Sequence, residues 1–232
     1  AICCDQKHIY LTAYCHCRKK GYEHDSMIHI LRKDNGALLG TVPIDRCHVG
    51  GIAADSENGY LFVCNSRRDT MMVYSCERLL QALSENDRKG SLRPDFSFDV
   101  GQTPSFCTFF DGIIWVGTFA KEATALAGYI RTDQNTYQKA YSLSPVPPHT
   151  QGAAFYRRGD AVSVTFSRSY GWILASRLEI SRIPGYDSAR SDGIAMETEP
   201  FFSLRMPGMM EGIDHDDGSL YVIFESAARQ YQ

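Results

Sequence analysis

The residues best suited to chemistry cluster near the end of the chain, in MEGIDHDDGSLYVIFES (210–226). Carboxylates beside an imidazole form a donor set for a divalent cation, and paired carboxylates can run acid–base hydrolysis. Glu225 follows four apolar or aromatic residues, Tyr221 to Phe224. Burial at such a strand end would raise its pKa unless a cation or donor partners it, and Arg168, at nearly the same place in an upstream segment, is the expected partner. A second group, Cys15-His16-Cys17, sets two thiols on one face of a strand and could hold a soft metal. Zinc knuckles space their thiols more widely, and no second matching pair follows. The eight cysteines, at 3, 4, 15, 17, 47, 64, 76 and 107, all lie in the first half. Cys64 and Cys76 are out of register for a bond across their hairpin. The cysteines are read as small core or surface thiols.

The elements that must position these groups come from an internal repeat. ICCDQKHIYLTAY (2–14), GGIAADSENGYLFVCNS (50–66), SFCTFFDGIIWVGTF (105–119), QGAAFYRRGDAVSVTFS (151–167) and EGIDHDDGSLYVIFES (211–226) share one plan. Each begins with a small residue and alternating apolar positions, passes a polar turn, and closes on an apolar strand. That pattern predicts antiparallel hairpins. Two further strand-like runs follow each of the first four, so the unit is four-stranded and 47 to 60 residues long. The expected fold class is all-β, a five-bladed β-propeller of four-stranded antiparallel blades. The predicted blades are about 1–47, 48–101, 102–148, 149–207 and 208–232, in a single domain. Two stretches are expected as loop insertions: 77–94, read as a short helix with Leu79, Leu80 and Leu83 at helical spacing followed by a surface loop, and the polar 184–199. The last blade lacks its third and fourth strands, so the natural protein is expected to extend upstream. In this register the acidic run 214–217 falls where the other units carry DSENG, FFDG and YRRGD, and it is expected to be a hairpin turn.

The first strands of propeller blades line the central channel. His48, Gln151 and Glu211 are therefore expected to meet at one mouth and to bind a polar ligand or a divalent cation. A second ring is expected from the ends of the second strands: Tyr14, Asn65, Thr118, Ser167 and Glu225. Trp115, Trp172 and Tyr170 could stack sugars, although aromatics at strand spacing usually fill cores.

The units GGIAADSENGYLFVCNS and EGIDHDDGSLYVIFES resemble the blades of bacterial NHL/YVTN and gluconolactonase-like β-propellers. The set HVGGIA, TPSFCTFFDGIIWVGTF, TQGAAF and MEGIDHDDGSLYVIFESAARQY looks like that of a group of bacterial, often exported, propellers. The resemblance implies an extracytoplasmic or secreted protein and supplies no reaction. Hydrophobic residues at 44% and charged residues at 22% describe a packed globular chain. A net charge of −3 gives no reason to expect a nucleic-acid partner, and no apolar run reaches the length of a spanning helix. No P-loop, dinucleotide fingerprint or G-x-S-x-G elbow is present. Two functions remain: a scaffold binding a polar small molecule or a protein at the channel mouth, and a metal-assisted hydrolase of the lactonase or glycosidase kind.

Overall fold

The computed structural model describes residues 1–15, 24–84, 90–171, 173–187 and 193–225. The first sheet contains β1 (Ile2–Cys4), β2 (His8–Ala13), β3 (Ser26–Arg32) and β4 (Leu38–Ile44), paired in that order. The second contains β5 (Ile52–Asp55), β6 (Tyr60–Asn65), β7 (Thr70–Ser75) and, after helix α1 (Cys76–Ser84), β8 (Phe96–Asp99). The third contains β9 (Phe106–Phe110), β10 (Ile113–Gly117), β11 (Thr124–Asp133) and β12 (Thr136–Val146). The fourth contains β13 (Thr150–Arg158), β14 (Ala161–Arg168) and β15 (Ser176–Ile183), and its outer strand is β17 (Phe202–Met206), with β16 (Ile194–Ala195) intervening in sequence. A two-stranded ladder, β18 (Met210–Asp216) and β19 (Ser219–Phe224), follows.

The first strands of the five sheets pack in a closed circuit, β1 on β5, β5 on β9, β9 on β13, β13 on β18 and β18 back on β1. Sheets radiating from such a circuit make a β-propeller, and the chain is all-β in that arrangement.

Sheet stacking explains a feature of the sequence that simple alternation does not. The second strands β6 and β10 are buried at nearly every position because each lies between two neighbouring sheets. They read as continuous apolar runs, YLFVCN and IIWVG, as expected of strands covered on both faces. The outer strand β17 is exposed along almost its whole length. Between the first and second sheets Tyr10, Ile28, Leu61 and Tyr74 are fully buried. Phe62, Ile114 and Val116 fill the next gap, and Trp115, Phe155 and Phe166 the one after. Trp115 is thus core and no sugar platform; Trp172 lies outside the described residues.

Inner strands can close round an axis only if their backbones come near one another. A Cβ on Gly51 would lie 2.7 Å from the Cys107 nitrogen and 2.7 Å from Phe106 Cα. A Cβ on Gly152 would lie 3.0 Å from the Glu211 carbonyl, and one on Gly212 would lie 2.9 Å from Ala1 Cα. The glycine that recurs at the start of these units is therefore a contact between sheets.

Two expectations change here. The hairpin turn of the last ladder is Asp217-Gly218, both at positive φ (46° and 72°), the conformation that Asp-Gly hairpins favour. Asp214, His215 and Asp216 lie on β18, paired with Tyr221, Leu220 and Ser219. A four-residue turn would have left those three strand partners unpaired. The 184–199 stretch is no simple loop, because Ile194–Ala195 joins the third sheet as a parallel strand beside β12. Burial of Ile194 and Met196 in that core supplies the driving force. In the 77–94 stretch, Leu79 is fully buried with Leu80 and Leu83 packed around it, and α1 lies against β4 and β7. Residues 16–23 and 85–89, including His16 and Cys17, lie outside the described set. Among the described residues no helix is long and apolar enough to cross a membrane.

No disulfide joins any described cysteine, and Cys3, Cys4, Cys47, Cys64 and Cys107 are buried. Burial pushes the Cys4 thiol up to about 12 and those of Cys47 and Cys76 up to about 11, so they stay protonated and unreactive near neutral pH.

Candidate functional site

The starts of the inner strands surround a cavity of about 770 Å³. His48, Gln151, Glu211 and Glu225 all line it, contributed by the approaches or ends of β5, β13, β18 and β19. Two of these side chains reach it through the same local device. The β13–β14 ladder shifts register between Thr150 and Gly152, and the β18–β19 ladder between Met210 and Ile213. A bulge inserts one extra residue and re-aims side chains, and here the residues in the shifts include Gln151 and Glu211. Each bulge is preceded by a residue in the left-handed region, His149 (φ 63°) and Met209 (φ 64°). Gln151 Nε2 donates to Glu211 Oε1 at 3.4 Å, linking the two bulges across the mouth.

The electrostatics of this mouth are unusual for the molecule. Glu225 follows β19 on the same cavity wall as Glu211, one residue beyond the Met210–Phe224 pair. Burial, and then the charge of Glu225, push the Glu211 carboxyl up to about 7. Two carboxylates this close cannot both ionise without cost. The phenol of Tyr14 is raised by burial and then by Glu225 and Glu211. Its ring meets the His48 imidazole edge-on, with centroids 4.4 Å apart. His48 Nδ1 is 3.4 Å from Ser66 Oγ, which donates to the Pro104 carbonyl at 2.9 Å. The Ala1 nitrogen donates to Thr12 Oγ1 at 3.0 Å on the same wall. Burial holds this amino group below its ordinary value, with Glu211 acting in the opposite sense.

Arg168 does not join this group. Its Nη1 contacts both oxygens of Glu179, at 2.8 and 2.7 Å, and its Nε donates to the Pro148 carbonyl at 2.9 Å. The expected Glu225–Arg168 pair is therefore replaced by Arg168–Glu179 within the fourth sheet and by Glu225–Glu211 at the mouth. The reason is tertiary: β15 places an acid beside the end of β14, whereas β19 ends facing β18. Of the expected second ring, Tyr14, Thr118 and Glu225 line the cavity. Asn65 instead accepts from the Arg67 backbone at 3.3 Å, and Ser167 Oγ bonds the carbonyl of Glu211. Sequence reasoning missed Ser66, Ser105 and Phe119. Ser66 and Phe119 directly follow the predicted ring positions Asn65 and Thr118 and were discoverable by widening the repeat register by one residue.

The far ends of the inner strands enclose a smaller space of about 140 Å³. Here Asp214 Oδ2 accepts the Cys4 N–H at 2.7 Å, tying β18 to β1 and closing the circuit. Burial pushes Asp214 up to about 7. His215 Nε2 is 3.0 Å from Thr165 Oγ1, burial lowers its pKa, and Asp216 pairs with Lys33. The three residues each face a different neighbour, so they stitch sheets together. Among the described residues no three His, Cys, Asp or Glu side chains converge as a metal-ligand set.

No protein-family model matches the chain, and no curated protein matches it. Solved structures similar to it include Kuenenia stuttgartiensis hydrazine synthase, at 12% identity and a TM-score of 0.48 over 90% of this chain and 48% of that one. The β-propeller domain of Myceliophteria thermophila Cps50 (Swd1) is similar at 10% identity and a TM-score of 0.46, over 97% of this chain and 62% of that one. A chain of the nidogen/laminin complex is similar at 14% identity and a TM-score of 0.47, over 94% of this chain and 68% of that one. The chain thus spans about half to two thirds of the length of these structures.

The raised Glu211 has a consequence for stability. Its pKa is about 7 in the folded protein against an ordinary 4.5, so the folded state holds the proton more tightly than the unfolded state does. No stability is lost below about pH 4.5; the loss grows as pH rises to about 7 and is constant above. Glu211→Gln is therefore expected to raise the urea midpoint at about pH 8 and leave it nearly unchanged at about pH 4.5. A difference of equal size at both pH values would contradict the assignment.

Proposed function

We propose that the chain is a five-bladed propeller in which β18 and β19 form the inner half of the fifth blade. We further propose that it acts as a binding scaffold receiving a small polar ligand at the channel mouth. The single observation that carries this reading is the cavity of about 770 Å³ into which His48, Gln151, Glu211 and Glu225 converge from separate sheets. Its size falls in the range of small-molecule sites, and it mixes apolar walls with a few convergent polar groups. A protein partner would need a broader surface than this concave mouth provides. An extracytoplasmic location belongs to the same proposal and rests on the family resemblance alone.

The hydrolase reading has less support. A glycosidase needs two carboxyl groups on either side of the scissile bond, with room for substrate or water between them, whereas Glu211 and Glu225 both come from the β18–β19 ladder. A metal-assisted reaction needs a convergent donor set, and among the described residues no three His, Cys, Asp or Glu side chains form one.

A thermal-shift screen with small sugars, sugar lactones, amino acids and amines tests the binding reading. A probe at about 100 times its Kd stabilises by about 2.7 kcal/mol, which for a domain of this size raises Tm by roughly 5–10 °C. The shift is expected to vanish in Thr118→Trp, which fills the mouth, while that variant's own urea midpoint stays close to wild type. A shift of equal size in both proteins would place binding elsewhere and end the proposal.

A further inference from the structure

Several carboxylates of this protein have a cationic partner, whereas two at its channel mouth face one another. Asp216 is paired with Lys33, Asp95 with Arg78, Asp45 with Arg93, Asp111 with Arg157 and Glu179 with Arg168. Asp214, buried without an ion pair, accepts a backbone N–H instead. Glu211 is set against a second carboxylate, Glu225, and among the described residues no Lys or Arg lines the cavity beside them. Bringing like charges together costs free energy; among the described residues the compensation is one 3.4 Å hydrogen bond from Gln151 and the nearby Ala1 nitrogen. A cation of suitable size would relieve that repulsion.

The rest of the wall says which kind of cation fits. The cavity is large enough for an organic molecule, and its lining includes Tyr14 and Phe119, with the Tyr14 phenol close enough to Glu225 and Glu211 for both to raise its pKa. Aromatic faces attract ammonium groups and cover the carbon skeleton attached to them. Hydroxyl groups on Thr12, Ser66 and Thr118 add acceptors for ammonium N–H donors. A bare metal ion would leave the rings unused, and it lacks a third carboxylate, His or Cys ligand among the described residues.

We infer that the channel mouth binds an organic ammonium compound, its charged nitrogen held between Glu211 and Glu225 and its carbon body against the aromatic wall. This rests on the reading of the mouth as a small-ligand site. The groups facing Glu211 are Glu225 after β19, the Ala1 nitrogen before β1, Gln151 on β13, and the Tyr14–His48 pair. Binding uses the ionised form of Glu211, whose carboxyl is held near neutrality, so affinity rises with pH as that proton is released.

Calorimetric titration of the whole chain with benzylamine, benzyl alcohol and benzoate compares three probes of one shape and different charge. Benzylamine is expected to bind at least about tenfold more tightly than the other two. Its affinity is expected to increase between about pH 5.5 and about pH 8, the interval that spans the Glu211 titration. Glu211→Gln is expected to reduce the preference for benzylamine about tenfold and to remove its pH dependence. Glu225→Gln, at an exposed position, is expected to lower benzylamine affinity without altering the circular dichroism spectrum, which guards against a folding defect. Equal or tighter binding of benzyl alcohol or benzoate, lost in Thr118→Trp, would overturn the ammonium inference and leave the mouth as a ligand site. Failure of all three probes and of the broader small-molecule panel would overturn both. Benzylamine binding unchanged in Glu211→Gln and Glu225→Gln would overturn the inference by removing the carboxylate pair from it.

Discussion

Glu179→Ala is expected to destabilise the protein by about 3–5 kcal/mol, the range seen when one member of a buried ion pair is removed. The Glu179 side chain is 8% exposed and that of Arg168 16%, so neither charge is well solvated. The guanidinium bonds both carboxylate oxygens, at 2.8 and 2.7 Å; it also donates to the Pro148 carbonyl at 2.9 Å and lies over the Tyr170 ring, 5.5 Å from its centroid. Without Glu179 a half-buried positive charge keeps one neutral acceptor, and the desolvation it suffered is no longer offset. The loss should appear in urea unfolding, and Glu179→Gln, which keeps one acceptor, should lose less. A loss below about 1 kcal/mol would mean that the pair behaves as an exposed one. The effect reaches the channel mouth, because the Pro148 carbonyl directly precedes His149 and the bulge that carries Gln151. Arg168 is therefore a positioning residue for the mouth, although it lies outside the cavity.

Gly51→Ala is expected to cost about 3 kcal/mol, at the upper end of ordinary overpacking. The added Cβ would meet Cys64 Sγ at 2.6 Å, the Cys107 nitrogen at 2.7 Å and Phe106 Cα at 2.7 Å. Two of these are backbone atoms of the next inner strand, so relief requires β5 and β9 to separate. Gly59→Ala is the matched control. Gly59 has φ of 71° and nothing within 4 Å of an added Cβ. Its cost of about 1–2 kcal/mol comes only from the left-handed backbone. Thermal unfolding should rank Gly51→Ala as the more damaging. The reverse order would mean that close approach of the inner strands does not limit the fold.

Much of this architecture is legible in local sequence. SMIHILR, LLGTVPI and TMMVYS are strands as written because their β-branched and apolar residues fit a covered pleat. FFDGII and DDGSLY are hairpins because Asp-Gly accepts two positive-φ positions, at Asp111-Gly112 as at Asp217-Gly218. The recurrence of these hairpins with a leading small residue is enough to predict the propeller arrangement. It also assigns His48, Gln151, Glu211 and Glu225 to one end of the inner strands, where the cavity is found.

What only the tertiary structure decided is which groups touch. Asp214-His215-Asp216 resembles turn chemistry until pairing with β19 makes it strand. Ile194 belongs to the third sheet although its neighbours in sequence belong to the fourth, because its side chain is buried in the hydrophobic cluster beside β12. Arg168 is bound to Glu179, which leaves Glu225 to face Glu211. In each case the sequence determined the type of group and the end of the strand on which it stands. The partner was chosen by packing between sheets, which joins residues tens of positions apart, and one register shift re-aims a side chain that a period of two would point elsewhere.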